Sequence, residues 1–191
     1  MKLNQPEEIV RTQVDFGALS SVRKVIVLKG YQNDGKTAIL TDLIRQLCIK
    51  FPNAWFGRGN RTADKFDISK VAEYATITDS TAVFKINGVI VVVRTGGDNP
   101  SVMSDTFNVA ARYKAQIVVT ALKVEVNAMK KSRVLIAYEY IKKTLAFEEV
   151  VIDIRGKKFR KAQYVQEKKT AGEIVKVVEE CISGLKHLRE G

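Results

Sequence analysis

The sequence predicts an α/β fold: a mostly parallel sheet in a three-layer arrangement, with helices on both faces. Three observations carry that expectation. Apolar runs of strand length alternate with stretches of helical periodicity along most of the chain. Two of the runs flank Asn87-Gly88, the favoured two-residue turn between antiparallel strands. The first run leads through a glycine-bounded loop directly into a periodic helix. A chain of 191 residues suits a single domain, residues 1–191, with a sizeable core. Its 46% hydrophobic and 28% charged residues place it among folded rather than disordered chains.

The elements follow in order. Lys24 to Lys29, Lys-Val-Ile-Val-Leu-Lys, is apolar without alternation, as a strand covered on both faces requires, and it ends at Gly30. From Thr37 the apolar residues Ile39, Leu40, Leu43, Ile44, Leu47 and Cys48 recur at helical spacing, and Pro52 stops the helix. Ala54-Trp55-Phe56 reads as a short strand, Gly57-Arg58-Gly59-Asn60-Arg61 as a loop, and the stretch near Ile68 to Tyr74 as a helix. A hairpin spans about 82–94; its second arm, Val89 to Val93, is apolar throughout and belongs inside the sheet, which leaves the first arm, Ala82 to Ile86, as an edge. Next come a helix from Val102 to Tyr113, a strand from Gln116 to Thr120, a helix from Ser132 to Thr144 and a strand from Glu149 to Ile154. Thr170-Ala171-Gly172-Glu173 has the form of a capping box, so the last helix is expected over about 171–189, with Ile174, Val177, Val178, Cys181, Ile182, Leu185 and Leu188 on one face.

The chemistry is concentrated in Gly30-Tyr31-Gln32-Asn33-Asp34-Gly35-Lys36-Thr37. This octet fits G-x-x-x-x-G-K-[ST], and an apolar strand before it and a helix after it supply the context the pattern needs. Gly30 and Gly35 let the backbone wrap closely enough for successive N–H groups to face phosphate oxygens, and the helix N-terminus adds its unpaired amides. On these residues the chain resembles the P-loop NTPase superfamily. The resemblance implies a P-loop NTPase-like sheet and a nucleoside triphosphate seated on Gly30, Asn33, Asp34, Gly35, Lys36, Thr37 and Ala38. Lys36 would serve the β- and γ-phosphates, and the Thr37 hydroxyl would ligate Mg²⁺. ATP is the default nucleotide, because no Asn-Lys-x-Asp guanine-reading segment exists.

P-loop proteins usually carry an acidic residue at the end of a neighbouring apolar strand, where it holds magnesium through water. Here Val89 to Val93 ends in Arg94, which sets hydrolysis apart from binding. Asp98, in Thr95-Gly96-Gly97-Asp98, is the chosen substitute as metal ligand and catalytic carboxylate, against the alternative that it caps the following helix. Asp153 fits the pattern of an apolar strand ending in Asp but closes the last strand of the alternation. The hairpin followed by Arg94-Thr95-Gly96-Gly97 looks like the second and third strands of small GTPases, of whose Asp-x-x-Gly only the glycine is present.

Charge and cysteines bound the rest. The formal net charge of +11 favours polyanions, so a nucleic acid or an acidic protein is a candidate partner besides the nucleotide. The two cysteines sit singly among apolar residues, without zinc spacing. No apolar run reaches membrane-spanning length and the N-terminus lacks a signal-peptide core, so a cytoplasmic protein with no membrane contact is expected. His187, the one histidine, has no triad around it. The leading functional expectation is a weak or regulated ATPase or nucleotide switch. The alternatives are a phosphotransferase, with Arg58 and Arg61 at the acceptor, Asp64, Asp67 or Asp98 as its carboxylate and Arg155 to Lys161 as lid, and a nucleotide-gated binding module without turnover.

Overall fold

The computed structural model describes residues 5–51, 55–58, 81–125, 132–155 and 163–190. In chain order these form α1 (Pro6–Gln13), β1 (Lys24–Gly30), α2 (Lys36–Lys50), β2 (Trp55–Arg58), β3 (Thr81–Ile86), β4 (Val89–Arg94), α3 (Pro100–Tyr113), β5 (Ile117–Lys123), α4 (Arg133–Thr144), β6 (Glu148–Asp153) and α5 (Gln163–Glu190). The strands make one six-stranded sheet in the order β2-β3-β4-β5-β1-β6. β4, β5, β1 and β6 pair in parallel, while β3 is antiparallel to both β4 and β2. The expected three-layer, mostly parallel sheet with one antiparallel hairpin is therefore the architecture found.

Alternation along the strands sorts the core into two layers. Ile26 and Leu28 of β1, with Val91, Val93 and Val119, face α2 and α5 through Ile39, Leu40, Leu43, Leu47, Ile174, Val178 and Ile182. Val25 and Val27, with Val92 and Val118, face α1, α3 and α4 through Val10, Met103, Phe107, Val134, Tyr138 and Ile141. Because β1 is buried on both sides, a polar residue on either parity would be costly, which explains its unbroken apolar run. The Asn87-Gly88 turn has φ of 52° and 83° at its two residues, the doubly left-handed geometry that this dipeptide tolerates best.

Two expectations need correction, and one element is unforeseen. The first hairpin arm is not an edge: β2 pairs outside β3, so among the described residues β2 and β6 are the outer strands. Hairpin patterning reports only the local partner, whereas the β2–β3 pairing closes across a long stretch of chain. The last helix begins at Gln163 rather than near 171, which leaves Thr170 buried inside it instead of capping it. Gln, Glu and Lys between 163 and 169 are good helix formers, and docking on α2 extends the helix through them. Finally, α1 has no counterpart among the sequence-derived elements, although Pro6 at its first turn, Glu7 and Glu8 beside it and Arg11 at its end are start and stop signals. The helix expected near Ile68 to Tyr74 lies outside the described residues.

Candidate functional site

β1 stops where its backbone must turn sharply under α2. A Cβ on Gly30 would lie 2.9 Å from Ile154 Cγ1 and 3.2 Å from Asp34 Oδ2, so a larger residue would force the loop outward. Asn33 and Gly35 both take left-handed backbone, with φ of 64° and 75°. Gly35 is the N-cap of α2 and has no side chain to satisfy the first-turn amides of the helix. The first turn of α2, without a capping side chain from its N-cap, thus starts beyond the carboxyl end of β1, at the end of the sheet where open α/β folds gather ligands.

Two of the loop's side chains, Asp34 and Lys36, fold back onto it. The Asp34 carboxylate accepts the Tyr31 N–H at 2.6 Å. Lys36 is only 6% exposed and donates to the Gly30 carbonyl at 3.2 Å and to the Tyr31 carbonyl. Burial lowers the Lys36 pKa; the negative charges of Asp98 and Asp34 act against that shift, and Lys123 acts with it. The Thr37 hydroxyl donates to the Thr95 carbonyl at 3.4 Å, joining the start of α2 to the loop after β4. Ala38 follows in the first turn of α2 with its methyl exposed.

β4 does not neighbour β1, because β5 lies between them. The residue at its end, Arg94, is buried, forms an ion pair with Asp105 of α3 at 3.3 Å and donates to the Thr81 hydroxyl, while its Nε has no partner among the described residues. Arg94 therefore ties the hairpin to α3, and the charge that breaks the expected acidic pattern is neutralised by Asp105. Just beyond it, a Cβ on Gly97 would fall 2.0 Å from the Ala121 carbonyl oxygen, so the loop rests directly on the backbone of β5. That crossing brings Asp98, which is exposed, within electrostatic range of Lys36. The helix-capping alternative for Asp98 fails: Asn99 caps α3, its Oδ1 accepting from Val102 N–H at 3.0 Å.

Asp153 stands opposite Lys29 at the end of β6. Its carboxylate accepts from the Arg155 backbone at 3.0 Å and from the Arg155 guanidinium at 2.6 and 2.8 Å, and these bonds hold its pKa below the usual carboxylate value. Three residues near the loop carry no local sequence signal. Glu167 of α5 is buried, and its Oε1 would lie 2.7 Å from a Cβ on Gly35. Lys123 ends β5 in register with Gly30. Gly97 is the third, since nothing within a few residues says which strand it crosses. α5 is held at this end by Gln46, which donates to Asp42 at 2.9 Å and to the Lys168 carbonyl at 3.0 Å.

Arg61, Asp64, Asp67 and the basic run beyond Arg155 lie outside the described residues. Among the described residues no group of three or more His, Cys, Asp or Glu gathers as a metal cage, and no helix is long and apolar enough to cross a membrane. Cys48 and Cys181 are buried free thiols, and burial pushes the Cys48 pKa up to about 11. No protein-family model, no curated protein and no solved structure matches this chain.

Proposed function

We propose that the protein is a P-loop nucleotide-binding protein that takes Mg·ATP on the Gly30–Thr37 loop and acts as a slow or regulated ATPase or nucleotide switch. The observation that carries this reading is the loop itself. It is a strand-to-helix turn with left-handed Asn33 and Gly35, a glycine N-cap that brings no capping side chain to α2 and a buried lysine folded against the turn. Such a turn presents backbone donors and one cation to an anion, which suits a polyphosphate better than a neutral ligand. Gly30 and Gly35 both stand where a side chain would collide with Ile154, Asp34 or Glu167, so the turn keeps this shape only with glycine at both positions.

The residues also fit magnesium. Thr37 supplies a hydroxyl at the first turn of α2 and Asp98 a carboxylate near Lys36, and a magnesium ion held partly by phosphate oxygens needs no larger protein cage. Bound there, the ion would neutralise charge building up between the outer phosphates. Lys36 would hold the same phosphates, and Thr95, through its contact with Thr37, would carry the state of the site to the β4–α3 loop.

Titration calorimetry with Mg·ATP tests the reading. The wild-type chain is expected to bind and Lys36→Ala to lose binding by at least about a hundredfold, the size of a lost charge-assisted contact to phosphate. Equal affinity in the two proteins would remove the P-loop from consideration.

A further inference from the structure

Two of the groups that would receive a triphosphate, the Tyr31 amide and the Lys36 ammonium, are already engaged by the protein's own atoms. The Tyr31 amide, one of the loop donors, gives its hydrogen to Asp34 Oδ2 at 2.6 Å, a charge-assisted bond to an anion. The same carboxylate lies in the hollow above Gly30, 3.2 Å from where a Cβ would stand, so it fills space that the missing side chain leaves free. Its charge also acts on Lys36, whose ammonium is turned back onto the Gly30 and Tyr31 carbonyls. One carboxylate thus engages the amide, the hollow and the field of the lysine together.

From this arrangement we infer that Asp34 is a built-in competitor for the phosphate seat, and that a polyphosphate loads by displacing its carboxylate from the Tyr31 amide. The inference rests on the phosphate-binding reading and adds its regulation. Two anions do not share one donor in a partly buried loop, because their repulsion is poorly screened there. The resting loop therefore satisfies its Tyr31 donor at the cost of affinity, and weak ligands such as single phosphates are excluded. Nothing covalent is involved: the carboxylate swings out, the phosphate oxygen takes the N–H, and Lys36 exchanges carbonyl oxygens for phosphate oxygens.

The test is titration calorimetry of inorganic pyrophosphate and of Mg·ATP with wild type, Asp34→Ala, Asp34→Asn and Lys36→Ala. Asp34→Ala is expected to bind both probes on the order of tenfold tighter than wild type, the worth of one hydrogen bond to a charged group. Asp34→Asn, which keeps an acceptor but loses the charge, should fall between them. A companion readout needs no ligand: amide exchange at Tyr31 should speed up in Asp34→Ala. Unchanged or weaker binding in both Asp34 variants, with Lys36→Ala still defective, overturns the competitor role and leaves the phosphate site standing. Binding by none of the proteins overturns both. Asp34→Asn guards against a folding failure, since it alters charge with almost no change of shape.

Discussion

Two glycines show how strictly single positions are specified. Gly35→Ala must force a left-handed backbone at φ of 75° onto a residue that disfavours it by about 1–2 kcal/mol, and must also push Glu167 away. In Gly35→Ala/Glu167→Ala the second contribution disappears and the first stays, so in denaturant the double mutant should lose less stability than the two single mutants summed; strict additivity would mean that Glu167 does not crowd an added Cβ. Gly97→Ala is expected to be worse, because the atom it meets 2.0 Å away is backbone and cannot rotate aside; a loss of about 2–3 kcal/mol or more is expected. Lys36 carries a pH consequence. Burial lowers its pKa from 10.5, and bound phosphate would raise it again. Polyphosphate binding should therefore weaken as pH rises through the lowered value, with proton uptake visible as a buffer-dependent heat; no proton uptake at alkaline pH would show that the lysine does not meet the ligand.

At the scale of elements, α5 and β6 matter most, since each touches what surrounds the loop. α5 buries Ala171, Ile174, Val175, Val178, Cys181 and Ile182 against the α2 face of the sheet. Ile174, fully buried there, should cost about 3 kcal/mol when changed to Ala, read as a lower denaturant midpoint. β6 is tied to α4 through Glu149, which accepts from the Tyr138 hydroxyl at 2.7 Å and pairs with Lys142. Burial pushes the Glu149 carboxyl up, but the bonds from Lys142 and Tyr138 outweigh it and hold the pKa below 4.5. A carboxylate lowered on folding adds stability that is present above its unfolded pKa and fades as pH falls through the folded one. Glu149→Gln should therefore melt below wild type at neutral pH, with the gap closing in acid. A gap that persists in acid would assign the loss to packing rather than charge.

For the whole molecule, the expected outcome of a nucleotide panel is a thermal shift of about 5–10 °C at a ligand concentration a hundredfold above Kd, present with Mg·ATP and absent in Lys36→Ala. The net charge of +11 bears on a different partner. Contact with nucleic acid would weaken steeply with salt, and binding that is insensitive to salt would assign the charge to solubility. Much of this molecule was legible in the chain. The unbroken apolar run of β1, the helical spacing of Ile39 to Cys48, the Asn87-Gly88 turn and the octet from Gly30 to Thr37 are local patterns, set by backbone geometry and burial within a few residues. Sequence alone therefore determined the α/β class, the hairpin and the position of the loop. Tertiary structure decided which strands lie side by side, that β2 covers β3, that Arg94 turns to Asp105, that Gly97 rests on Ala121 and that Glu167 occupies the space where a Gly35 side chain would stand. These contacts join residues far apart in the chain, and no pattern within a few residues can encode a partner that only folding brings near.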